Sequence, residues 1–114
     1  MPTVYGIRHI INGKIYYIGS TKNLYHRFKS HKSYCNNPKA HNYTQAIYKF
    51  IRENGGFDAY ECYVIWQIPD HASNLTRVIE QIEINRNLDT VKNKSKSYCG
   101  EIDDIIINDI INEQ

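Results

Sequence analysis

At 114 residues the chain has room for one domain and one hydrophobic core. A hydrophobic fraction of 41% and a charged fraction of 23% are those of an ordinary folded protein and exclude global disorder. The net charge of +2 hides an asymmetry, because residues 1–53 hold nine Lys/Arg and one acid whereas residues 54–114 hold five Lys/Arg and eleven acids.

The first element, Thr3 to Ile10, is rich in β-formers, and Asn12-Gly13 follows as a two-residue hairpin signal. The returning strand, Lys14 to Gly19, completes an expected hairpin over residues 3–19. Ser20 or Thr21 can cap a helix to about His31, with Leu24 and Phe28 as its buried stripe and Arg27 and His31 on another face. Residues 33–42 read as loop, and Tyr43 to Glu53 as a second helix carrying Ala46, Ile47, Phe50 and Ile51 at helical spacing. Asn54-Gly55-Gly56 stops that helix, since glycine accepts the left-handed conformation past a helix end.

Phe57 to Ile68 predicts a strand with Tyr60, Cys62, Val64 and Trp66 on one side and Glu61, Tyr63, Ile65 and Gln67 on the other. Asp70 or Ser73 can cap a third helix to about Leu88, with Leu75, Val78, Ile79 and Ile82 as its core stripe. Residues 89–99 are polar and basic, and Glu101 to Asn112 fits a last acidic amphipathic helix. The expected fold is α+β: a three-stranded antiparallel sheet flanked by helices, in the order β-β-α-α-β-α with an optional C-terminal helix. The expected division is residues 1–99 as the folded domain and 100–114 as an acidic helix or tail packed on it.

No apolar run exceeds Cys62 to Trp66, too short to span a bilayer, so no membrane partner is expected. The N-terminus lacks a signal-peptide pattern. Cys35, Cys62 and Cys99 are widely spaced and odd in number, against both a disulfide framework and a cysteine zinc site. An intracellular protein is the expectation. The basic first half suits a polyphosphate partner.

Two strand tyrosines (Tyr5 and Tyr17), a helix with Arg27 and His31, and Glu80 on the third helix supply the groups that metal-assisted phosphodiester hydrolysis needs. A carboxylate holds a cation that polarises the phosphate, a guanidinium meets the developing charge, and a histidine or phenol handles a proton. Lys22, Lys29, Lys32 and Lys39 could track a nucleic-acid backbone without reading its sequence.

These residues resemble the GIY-YIG endonuclease family. The resemblance rests on Thr3-Val4-Tyr5, eleven intervening residues, and Tyr17-Ile18-Gly19, followed by the block from Ser20 to His31 containing Arg27. Asn54-Gly55-Gly56-Phe57, Leu75 with Glu80, and Asn93 continue it in order over roughly residues 3–93. The first motif departs from the family in having Thr-Val-Tyr for Gly-Ile-Tyr.

The resemblance implies that Glu80 binds one divalent cation, Mg²⁺ or Mn²⁺, and that Arg27 stabilises the scissile phosphate. It implies that Tyr5 contacts the attacking water with His31 drawing the proton onward, and that Tyr17 positions the phosphate or metal-bound water. Gly19, His41 and Asn93 take supporting places. Helix geometry alone favours Glu83 over Glu80 as the semi-buried acid, because Glu83 lies nearer the apolar stripe; family register selects Glu80. The resulting reading is a metal-dependent endonuclease with DNA as its expected substrate, and the alternative is an inactive nucleic-acid-binding module of the same fold. Target specificity would then come from a homodimer or a targeting partner.

Overall fold

The computed structural model describes residues 1–93. The expected C-terminal helix over 101–112, the 100–114 segment and Cys99 lie outside the described residues. Strands β1 (Thr3–His9), β2 (Ile15–Thr21) and β3 (Tyr60–Gln67) form one antiparallel sheet in the order β2-β1-β3. Helices α1 (Leu24–Asn36) and α2 (Ala46–Glu53) cover one face, and α3 (Thr76–Arg86) covers the other. The α+β fold and the order β-β-α-α-β-α are therefore as the sequence predicts.

The central strand is buried on both sides, which is why its residues alternate between two separate cores. Val4 joins Ile18, Ile68, Ala72, Ile79 and Ile84 on the α3 face. Tyr5 and Ile7 join Cys35, Ile47, Tyr48 and Ile51 on the α1–α2 face. Burying a large side chain is worth about 1.5–3 kcal/mol, so dividing the apolar set between two faces fixes register firmly.

Several boundaries differ from the sequence reading for identifiable reasons. The hairpin is not closed by a two-residue Asn-Gly turn. His9 N–H bonds to Lys14 O at 2.9 Å, leaving Ile10 to Gly13 as the loop, and only Gly13 adopts positive φ (72°). The loop is held by side chains instead: His9 Nδ1 accepts from the amides of Ile11 and Asn12, and Asn12 Oδ1 accepts from Lys14 N–H. Neither Ser20 nor Thr21 caps α1, because β2 continues to pair with β1 as far as Thr21; Asn23 caps it by accepting from His26 N–H.

Helix α1 also runs one turn beyond His31, to Asn36. Its buried residues are His31 and Cys35, while Leu24 and Phe28 are only partly buried. The row of Arg27, His31 and Cys35, four residues apart, thus faces the sheet in place of a purely apolar stripe. Gly55 and Gly56 end α2 with positive φ, as expected.

Two β-bulges break the strict alternation read from the sequence. In β2 the pairing passes from Ile7↔Tyr17 to Arg8↔Ile15, so Tyr16 is the extra residue. Tyr16 and Tyr17 consequently both pack toward α1–α2. In β3 it passes from Val4↔Trp66 to Tyr5↔Val64, making Ile65 the extra residue. Ile65 and Trp66 then both pack toward α3, and Val64 is 40% exposed rather than part of the core.

The segment after α3 returns along the outer edge of β2. Thr90 Oγ1 donates to Ile15 O at 2.5 Å, and Lys92 N–H donates to Tyr16 O at 2.7 Å. The Asn93 side chain completes this strap: its Oδ1 accepts from Ile18 N–H at 3.1 Å and its Nδ2 donates to Ile18 O at 2.7 Å. One amide side chain thus does what a neighbouring strand's backbone would do. The strap covers an edge that would otherwise be open to wrong pairing.

Candidate active site

Tyr5 and Tyr17 lie on adjacent strands with ring centroids 6.4 Å apart. They approach each other over Gly19, which pairs with Tyr5 across the ladder. A Cβ on Gly19 would stand 2.8 Å from the Tyr5 hydroxyl and 3.0 Å from the Tyr17 ring. Glycine at this place is therefore a packing requirement of the two phenols.

Arg27 Nε donates to the Tyr5 hydroxyl at 3.4 Å. The Tyr5 hydroxyl also meets His31 Nε2 at 2.5 Å, and His31 Nδ1 meets the Tyr48 hydroxyl at 2.8 Å. Because the Tyr5 oxygen already accepts from Arg27, its own O–H is free to donate to His31 Nε2. A neutral imidazole has one donor, so Nδ1–H then donates to Tyr48. Arg27, Tyr5, His31 and Tyr48 form one directed chain of hydrogen bonds from the site rim into the core.

The electrostatics follow from burial. Tyr5 and His31 are both 0% exposed. Desolvation, and next the neighbouring Tyr17, push the Tyr5 phenol above its ordinary pKa. Tyr48 is raised mainly by the same loss of water. Burial, reinforced by the Arg27 charge, lowers His31 to about 4, so its ring is neutral at pH 7. Burial works against the Arg27 charge, but its hydrogen bonds to Tyr5 and Tyr17 outweigh that and hold its pKa above the ordinary value. Tyr17 is raised by burial, an effect opposed by Arg27 and assisted by Glu80.

A stability consequence follows from His31. As pH falls from about 6.5 to about 4 the unfolded chain takes up a proton that the folded chain refuses. Folding should lose about 3 kcal/mol of stability across that window, present above it and gone below it. Urea unfolding of the wild type and of His31→Gln over this range should show the loss in the former and a flatter profile in the latter. Identical profiles would remove the buried neutral imidazole from the account.

Glu80 comes from the other face of the sheet. It stands on α3 against the end of β2, where Ser20 Oγ donates to its Oε2 at 2.8 Å. Its charge is close enough to oppose ionisation of Tyr17, and its printed contact is with Ser20, two positions past the Ile18 rung of the same strand. Glu83 is accounted for otherwise. It is 6% exposed and its Oε1 accepts from Trp66 Nε1 at 3.0 Å and Arg86 Nη1 at 2.8 Å, a structural tie between β3 and α3.

The structure thus brings together Tyr5, Tyr17, Gly19, Arg27, His31 and, at the rim, Glu80. Asn93 acts from behind by clamping Ile18, the residue before Gly19. His41 is not gathered in: it is exposed, and its ring lies 6.4 Å from that of Tyr34 on α1. Lys22, Lys29, Lys32 and Lys39 are all exposed. Lys29 and Lys32 border a shallow depression with Asn36 and Asn37, whereas Lys22 lies in a different pocket, beside Ser20.

Two members of the site were missed from the sequence. Tyr48 adjoins the apolar positions Ile47 and Ile51, and a buried tyrosine hydroxyl needs a partner, which was the available signal. Ser20 offers only a helix-cap signal in the sequence.

The chain belongs to the GIY-YIG family: the model of the GIY-YIG catalytic domain matches residues 1–92. Membership carries nuclease activity on nucleic acid. No curated protein and no solved structure matches the chain significantly.

Proposed function

We propose that this domain is a divalent-cation-dependent endonuclease acting on DNA. The observation that carries the reading is Arg27 held on Tyr5 beside Tyr17 of β2, with the Glu80 carboxylate tied by Ser20 to the end of that same strand, backed by the buried Tyr5–His31–Tyr48 chain.

Among the described residues no three His, Cys, Asp or Glu side chains cluster as a protein cage for a metal. A single carboxylate fits Mg²⁺ or Mn²⁺ nonetheless, because such an ion keeps several waters and takes further oxygens from a substrate phosphate. Ser20 engages Oε2 of Glu80, and Glu80 is the carboxylate that would hold the cation. Bound there, the ion supplies a Lewis acid for the phosphoryl oxygen and an acidified water.

The chain's own residues do the rest. Arg27 faces the phosphate as a fixed positive charge and stabilises the charge that develops on it. The burial of Tyr5 does not fit the expected contact between its hydroxyl and the attacking water. Tyr17 is only half-buried and feels the charges of both Arg27 and Glu80, so it is the phenol that orients the water. Tyr5 is a positioning residue: it holds Arg27 and donates its own hydrogen bond to neutral His31, which serves as the proton acceptor of the Arg27–Tyr5–His31–Tyr48 series.

Incubating the purified protein with supercoiled and branched DNA tests this. Nicking is expected with Mg²⁺ or Mn²⁺ and none with a chelator. Equal cleavage in both would overturn metal dependence. Tight, salt-sensitive binding without cleavage of any DNA would favour the inactive binding module.

A further inference from the structure

A pocket lined mainly by hydroxyl, amide and cationic residues adjoins the site on the α3 face. It has a volume of about 530 Å³ and lies between the end of β2 and the start of α3. Lys22 and Arg77 both line it, together with Ser20, Thr21, Ser73 and Asn74. No acid lines it. Both cations are exposed, and among the described residues neither forms an ion pair with an acid. Two unpaired cations and several hydroxyl and amide groups in one concavity make a receptor for a singly charged oxyanion, not for a metal or an apolar ligand.

The pocket is joined to the site through two residues. Ser20 lines it and also donates to Glu80. Arg77 precedes Glu80 by three positions on α3, so their side chains are neighbours on one helix face, about 5–6 Å apart at Cβ. An extended strand whose scissile phosphate rests at Arg27 and Glu80 therefore has its next phosphate within reach of this concavity.

We propose that this pocket holds a backbone phosphate adjacent to the scissile one, gripped between Lys22 and Arg77. The inference rests on the endonuclease reading and adds the path of the strand. The substrate crosses the end of β2 onto the α3 face, and does not run only along the outer surface of α1, where Lys29 and Lys32 lie. Arg77 contributes binding and positioning; it does not touch the reacting bond.

The test uses the full chain and a fluorescent branched DNA duplex, with binding measured in chelator so that cleavage is not needed. Arg77→Ala should weaken binding about tenfold at low salt, the scale of one charge-assisted contact. It should lower the slope of log affinity against log salt by about 1. Lys22→Ala should act alike. Lys49→Ala, which removes an exposed cation from α2, should have little effect. With metal restored, Arg77→Ala should raise KM while leaving the saturated cleavage rate nearly unchanged.

Unchanged affinity and slope in both Arg77→Ala and the charge-reversing Arg77→Glu, with normal cleavage, would overturn the pocket and leave the endonuclease reading standing. An equal loss in Lys49→Ala would overturn it too, by reducing the effect to net charge. A loss of slope at Arg77 and Lys22 alone, in a protein that cuts nothing, would keep the phosphate site while the endonuclease reading fell.

Discussion

Replacing Arg27 with alanine should lower the single-turnover cleavage rate about a hundred- to a thousand-fold, the cost of removing one fixed donor from a developing anion. The guanidinium is the only cation that the fold brings into contact with the site tyrosines, among the described residues. Its setting also explains why lysine should recover little. Arg27 uses Nε to hold the Tyr5 hydroxyl and also meets Tyr17, and its planar fork has further N–H groups for phosphate oxygens. An ammonium has no second, fixed direction to offer. The fold should survive, because the residue is half-buried and the Tyr5 hydroxyl keeps its bond to His31. Rapid-quench cleavage alongside a thermal melt separates the two effects. A variant that melts normally and cuts within a few-fold of wild type would refute the assignment.

Glu80→Gln should be comparably severe, about a hundredfold or more, since several kcal/mol of transition-state stabilisation by a cation are at stake. The substitution keeps the shape and retains an oxygen to accept from Ser20, so packing at the end of β2 should be undisturbed. It removes only the charge. The distinguishing readout is the metal titration: part of the lost rate should return as Mn²⁺ is raised far above the level that saturates wild type. The corresponding change at Glu83 should instead lower stability, because that carboxylate ties Trp66 to Arg86. If Glu83→Gln abolished cleavage at unchanged stability while Glu80→Gln did not, the two roles would have to be exchanged.

Much of the architecture was legible because local signals agreed with the global fold. Alternating β-formers, a turn glycine, helical spacing after Tyr43 and paired glycines after Asn54 each specified an element that the structure contains. Family register also singled out Glu80, where the angle around the helix preferred Glu83. That angle did identify the buried acid; it could not reveal that Trp66 and Arg86 were waiting to bind it.

Other features depended on partners distant in sequence. Alternation cannot reveal a bulge, and the bulges at Tyr16 and Ile65 decide which side chains reach which core. Histidine on an amphipathic helix reads as polar, yet His31 is completely buried because Tyr5 and Tyr48, 26 positions before it and 17 after, satisfy both ring nitrogens. The depth of Tyr5 was hidden for the same reason. So was the placement of Arg77, an ordinary exposed helix charge until the end of β2 is set opposite it.

The strap along β2 bears on how this unit can be transplanted. Secondary structure suggests that the smallest cutting cassette stops where α3 stops, at Arg86. A fusion joined there would discard Asn93 and its two-point grip on Ile18, and with it the restraint on the rung that presents Tyr17 and Gly19. A chimaera carrying a foreign DNA-reading module should be spliced downstream of residue 93, so that the seam falls beyond the last stitch of the sheet.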